Sequence, residues 1–101
     1  MATLISIYWR DIPAQVIARE GRLKIKRKLP SRFATAIDRA AMRAGRGASD
    51  AYLEDWRRVS EVCDGGDIEK LADDKVSELV GAFDDAYLER VVKAGGLAKD
   101  G

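Results

Sequence analysis

Up to Leu29 the apolar residues fall in short strand-like runs that give way, from Leu23, to strict alternation with polar ones; beyond it they recur in threes and fours. Thr3 to Trp9 is a short apolar run rich in β-branched and aromatic side chains, which predicts a strand with Ile5, Ile7 and Trp9 on one face. Pro13 has no N–H to give to a ladder, so Arg10 to Pro13 reads as a turn or crossover before a second strand, Ala14 to Glu20. Gly21-Arg22 then offers a two-residue loop with glycine at its first central position, as a type II′ hairpin requires. The third strand, Leu23 to Leu29, alternates cleanly: Leu23 and Ile25 point one way, Lys24, Lys26 and Lys28 the other.

Pro30-Ser31 signals entry into a helix, with Ser31 as N-cap, and Phe33, Ile37, Ala40, Ala41 and Ala44 follow at helical spacing until Gly45. Ser49 and Asp50 are placed to cap a second, short helix that carries Tyr52, Leu53, Trp56 and Val59 inward. After a break at Cys63 to Gly66, the spacing of Ile68, Leu71, Ala72, Val76, Leu79, Val80 and Phe83 describes an amphipathic helix beginning at Asp67. Asp84-Asp85 caps a last helix holding Leu88, Val91 and Val92 as far as Gly95-Gly96. The pentapeptide Asp-Ala-Tyr-Leu-Glu occurs at Asp50 and again at Asp85; an acidic cap followed by helix formers explains both copies better than a repeat architecture does.

These elements predict a single α+β domain over residues 1–101. About three antiparallel strands within 3–29 pack against about four helices within 31–95, and a tail over 96–101 frays. The length of 101 residues supports one core, and 47% hydrophobic with 35% charged residues suits an ordinary globular chain. The apolar run Leu4 to Trp9 is too short for a signal peptide or a membrane span, and a single Cys63 makes no internal disulfide, so a cytoplasmic location is expected.

Net charge is +1, but residues 1–50 hold 11 Lys/Arg against 4 Asp/Glu and residues 51–101 hold 7 against 13. The two halves either make the molecule an electrostatic dipole or neutralise each other across an internal interface.

Catalytic chemistry finds little to work with. The absence of histidine removes the commonest general base, the commonest metal ligand and every Ser-His or Cys-His nucleophile pair. One cysteine cannot build a thiolate-rich zinc site, and Glu61, Asp64 and Asp67 around Cys63 oppose thiolate formation. The Asp73-Asp74 and Asp84-Asp85 pairs read as solvated helix surface and caps, and Asp64-Gly-Gly-Asp67 lacks the ligand string of a calcium loop. No phosphate-cradling glycine motif is present. The expected protein is therefore not an enzyme and carries neither cofactor nor metal, with a small carboxylate-dependent enzyme as the alternative.

Binding has better candidates. Lys24, Lys26, Arg27 and Lys28, extended by Arg22 and Arg32, form a basic strand that is either a docking face or protection for an exposed sheet edge. Trp9, Arg10 and Asp11 beside Pro13 make a rigid polar corner suited to recognition, while Trp9 also suits the core. Trp56-Arg57-Arg58 is a second aromatic and cationic element. With no interleaved aromatics in the basic strand and a pI of about 7.8, an acidic protein surface fits better than nucleic acid, which stays as an alternative. The oligomeric state is left open.

The block Ile7-Tyr8-Trp9-Arg10-Asp11-Ile12-Pro13-Ala14-Gln15-Val16-Ile17 is followed by Gly21-Arg22, Leu29-Pro30, Arg32-Phe33, Ala36-Ile37-Asp38, Ala41-Met42-Arg43, Ala51-Tyr52-Leu53 and Trp56-Arg57. With these residues the chain resembles a small bacterial domain family labelled "virulence factor", from Thr3 to about Gly96 and most strongly before Arg58. The resemblance implies a setting beside the corrinoid-dependent and tetrahydrofolate-linked methyl-transfer proteins of alphaproteobacteria, and hence an accessory role in one-carbon metabolism. Without histidine the chain has no standard lower ligand for cobalt, so in that role it contacts the corrinoid machinery rather than holding the cofactor through such a ligand.

Overall fold

A computed structural model describes residues 1–45, 53–64 and 66–97. The architecture is α+β. Strands β1 (Ala2–Trp9), β2 (Ile12–Glu20) and β3 (Leu23–Lys28) form an antiparallel meander, and β4 (Trp56–Cys63) pairs antiparallel with the other side of β1, giving the order β3-β2-β1-β4. Helix α1 (Ser31–Arg43) follows β3; α2 (Ile68–Ala82) and α3 (Asp85–Lys93) follow β4.

The fourth strand corrects the sequence reading. Leu53, Trp56 and Val59 recur every three residues and imitate a helical stripe, yet from Trp56 the chain is extended. Leu4, Ile5 and Ser6 are consecutive and all buried, so β1 is an interior strand, and its backbone groups require ladder partners on both sides. β2 satisfies one side and β4 the other. The sheet thus has four strands rather than three, and the described helices number three rather than four. The proposed caps Ser49 and Asp50, with Tyr52, lie outside the described residues.

Two smaller corrections concern termini. β2 starts at Ile12 and contains Pro13, just before a bulge at Ala14, where the register passes from the Ile7–Gln15 pair to Tyr8–Pro13. The β3 ladder begins only at Gln15–Lys28, so the missing N–H of Pro13 lies beyond it. The N-cap of α1 is Pro30 with no side-chain bond, and Ser31 is the first helical residue. Other expectations hold. Gly21 has φ of +60° and Arg22 has no positive φ, in keeping with a type II′ hairpin. Asp67 caps α2 through Glu69 and Lys70 N–H, and Asp84 caps α3 through Tyr87 N–H.

Cross-strand partners share a face, so the register sorts the sheet into two sides. Leu4, Val16 and Ala18 lie toward the helices and join Phe33, Ala36, Ile37, Ala72, Leu79, Phe83, Leu88 and Val91 in one core. The small alanines of α1 permit close packing against β2 and α3. Beyond the bulge, Trp9 and Ile12 also enter this core, both fully buried.

The C-terminal end of α3 closes on the first hairpin. Gly96, at φ +94°, sits so close to Trp9 that a Cβ there would lie 2.7 Å from Cζ3 of the indole. Its carbonyl accepts the Asp11 N–H at 2.8 Å. Gly96 is therefore part of the packed fold rather than the start of a frayed tail. Gly96→Ala combines an unfavourable backbone conformation with overpacking, and it is expected to cost about 2–4 kcal/mol. Urea unfolding checks this: the midpoint should fall sharply, whereas Gly81→Ala, in open space within α2, should leave it level or raise it.

Candidate functional site

Among the described residues, no helix covers the other face of the sheet, and its charges are of one sign. Its residues form three rows across the strands. Lys24, Arg19, Thr3 and Val62 make the first, Lys26, Ile17, Ile5 and Ser60 the second, and Lys28, Gln15, Ile7 and Arg58 the third. Lys24, Lys26, Lys28, Arg19 and Arg58 are all exposed, and no Asp or Glu occupies a position in the rows. These five cations form no ion pair among the described residues. Ile5 and Ile17, directly opposite each other and buried, lie outside the helix-side core and give the face an apolar centre. Arg22, in the β2–β3 turn, is exposed at the end of the row begun by Lys24.

At the β4 side of the same face, Ile7, Gln15, Trp56, Arg57 and Arg58 line a shallow depression of about 370 Å³. Trp56 is half-buried and packs against the core while contributing to this wall. The depression thus sets an indole and the Arg58 guanidinium beside a carboxamide, a set suited to flat or anionic groups.

The Trp9-Arg10-Asp11 corner has a different use. Arg10 and Asp11 are the two residues of the β1–β2 turn, and Arg10 adopts φ +54°, a region ordinarily left to glycine or asparagine. Its N–H donates to the Asp55 carbonyl at 2.9 Å, its Nε to Asp55 Oδ2 at 3.1 Å and its Nη1 to the Gly95 carbonyl at 2.9 Å. Arg57 donates from Nε to the Arg10 carbonyl at 2.8 Å and from Nη2 to Asp11 Oδ1 at 3.0 Å, and lies over the Tyr8 ring. Trp9 has no exposed surface. The structure therefore joins the three corner residues to β4 and to the end of α3, apart from the lysine rows.

Two of the other basic residues in the sequence patch also turn inward. Arg27 lies on the helix side of β3 and reaches Asp73 of α2 at 2.9 Å and Glu69 at 3.4 Å. Arg32 donates to the Phe83 and Val80 carbonyls at the end of α2. Arg19 and Arg58 complete the open face; the sequence singles out Arg58 only beside Trp56 and Arg57, apart from the lysine strand, and does not single out Arg19. Arg19 was within reach, because the Gly21-Arg22 hairpin sets Glu20 opposite Leu23 and Arg19 opposite Lys24. Arg58 depended on recognising β4.

A groove of about 380 Å³ between α1 and α3 is lined by Ser31, Arg32, Thr35, Arg39, Asp85 and Glu89, among others. Its two carboxylates face arginines: Glu89 accepts both Arg39 Nη groups at 3.0 and 2.8 Å, and Asp85 lies 3.5 Å from Arg32. Hydrogen bonding to Arg39 holds Glu89 below its ordinary pKa, the reverse of what a general acid requires. Among the described residues no His/Cys/Asp/Glu group could hold a metal ion, and no helix is long and apolar enough to cross a membrane.

A helix-backed antiparallel sheet with an open basic face is thus the class of domain these residues define. The chain belongs to the family described as "Virulence factor", whose model matches residues 7–92. No curated protein and no solved structure matches it.

Arg10→Ala removes charge-assisted bonds from a partly buried turn and is expected to cost about 2 kcal/mol. Lys24→Ala or Lys26→Ala should stay within about 0.5 kcal/mol of the wild type in the same unfolding assay. For Glu89 the pKa is lowered in the folded chain, so its contribution is complete above the unfolded value near 4.5 and disappears as pH falls through the folded value. Glu89→Gln should thus lower the urea midpoint slightly at neutral pH and not at all once the pH is below the carboxylate range.

Proposed function

We propose that this chain is a non-catalytic accessory module that docks an acidic surface of a cytosolic protein on its open sheet face. The observation that carries the reading is the three-row arrangement of five exposed cations with no carboxylate among them. A patch of one sign accelerates encounter with an oppositely charged surface and selects against like-charged ones more than it adds affinity. The lysines are well suited to this, being flexible and hydrated. The paired state of Asp85 and Glu89, with Glu89 held ionised, supports a non-catalytic role over the carboxylate enzyme. The setting proposed for the module, corrinoid- and tetrahydrofolate-linked one-carbon metabolism, rests on the family resemblance alone.

Single-stranded nucleic acid is the second reading, favoured by Trp56 in a depression that Arg58 of the basic face and Arg57 also line. The acidic residues of the C-terminal half oppose it less than their number suggests, because Glu69, Asp73 and Glu89 are paired on the helix side.

The test compares the wild type with a Lys24→Glu, Lys26→Glu, Lys28→Glu variant of verified fold. Nuclease-treated pull-downs from native cytosol, followed by association kinetics with the recovered protein, should show at least a tenfold slower on-rate for the variant and little change in dissociation. Equal association rates would sink the docking reading. Nuclease-sensitive recovery, with oligonucleotide affinity falling steeply as salt rises and depending on Trp56, would establish the second reading instead.

A further inference from the structure

The two edges of the sheet are finished differently. β3 presents Lys24, Lys26 and Lys28, the usual protection of an exposed edge against pairing with another strand. β4 contains neither lysine nor proline, is in unbroken register with β1 over all eight of its residues, and is paired with no other strand among the described residues. Arg57 to Val62 are all exposed, Val62 at 70%. An edge that is long, regular and apolar at two positions is a ready template for a further strand.

We infer that β4 is the interface for a second copy of this chain, joined edge to edge about a two-fold axis at Val59. The result is one continuous sheet of order β3-β2-β1-β4-β4-β1-β2-β3. The self-complementarity of the β4 sequence identifies the occupant. A two-fold axis perpendicular to the sheet keeps each residue on its own face, so every allowed register is centred on a residue. Centring on Arg57, Arg58 or Glu61 sets like charges directly opposite each other, which is unfavourable. Centring on Ser60 sets Glu61 against Val59 and Arg57 against Cys63, leaving both charges without a complement.

Centring on Val59 is different. Valine meets valine on the axis, Trp56 meets Val62 on either side, and Arg57 meets Glu61 twice. Both charged groups retain an atom for the purpose. Arg57 uses Nε and Nη2 at the corner and keeps Nη1, while Glu61 receives Lys75 on Oε1 and keeps Oε2. Aromatic–aliphatic and opposite-charge cross-strand pairs are the units that stabilise antiparallel sheets. The pairing also sets both basic faces on the same side of one sheet, but it stands on the β4 edge and not on what those faces bind.

The test is made on the full chain. Sedimentation equilibrium should give a dimer, and Val59→Lys, which sets two cations on the axis, should give a monomer with an unchanged far-ultraviolet spectrum. A Val59→Cys, Cys63→Ser variant should crosslink to a dimer under mild oxidation, because residues facing each other across the axis fall within disulfide reach. Val62→Cys, Cys63→Ser should not. A wild type that stays monomeric at its solubility limit overturns the inference, as does a dimer that survives Val59→Lys or crosslinks through Val62 instead. Protection of β4 amides from exchange only when an extended segment of another protein is added would assign the edge to that segment and overturn it equally.

Discussion

The close approach of Gly95 and Gly96 to the first hairpin is the constraint on which the rest of the fold depends. It joins the two ends of the described chain: Trp9 is packed under Gly96, Asp11 donates to the Gly96 carbonyl, and Arg10 reaches the Gly95 carbonyl. Only residues without a Cβ suit that geometry at positive φ. The same contact holds Arg10 in a left-handed conformation that an arginine would otherwise leave, and through Asp55 and Arg57 it fixes where β4 begins. Because the family match ends at residue 92, a chain cut there would lose the closure together with Lys93, the last residue of α3.

Charge in this molecule is divided by face. The helix-side arginines are used internally: Arg27 ties β3 to α2, Arg32 and Arg43 donate to carbonyls at the ends of α2 and α3, and Arg39 holds Glu89. Planar, multidentate guanidinium groups suit such fixed geometry. These pairs link the basic first half to the acidic second half, so much of the charge asymmetry of the sequence is neutralised within the fold. The remainder is concentrated on the other side of the sheet, as Lys24, Lys26, Lys28, Arg19 and Arg58. Neutralisation and dipole, which the sequence presents as alternatives, are therefore both realised, on opposite faces.

Local patterns were legible where they coincided with local structure. The hairpin at Gly21, the alternation of β3, the caps at Asp67 and Asp84 and the stop at Gly95-Gly96 all depend on near neighbours, and the structure places them as the sequence implies. What was not legible depends on distant partners. β4 is a strand because β1 is buried and needs a second ladder, a fact of tertiary structure that the helix-like spacing of Leu53, Trp56 and Val59 conceals. Arg27 and Lys26 are neighbours in one basic run, yet the pleat sends them to opposite faces with different partners. The corner at Arg10 stands out in the sequence for its composition, but its closure by Asp55, Gly95 and Gly96 depends on residues far along the chain.

The sequence pI of about 7.8 and net charge of +1 describe an average that no approaching molecule experiences. With helix-side charges largely paired and a cation-only face on the reverse, the protein keeps a strong local potential even where its titration curve crosses zero. Its behaviour toward surfaces is therefore set by orientation rather than by pH alone. Near its isoelectric point, where neutral colloids lose mutual repulsion, it should still adhere face-first to an anionic matrix and be released by salt.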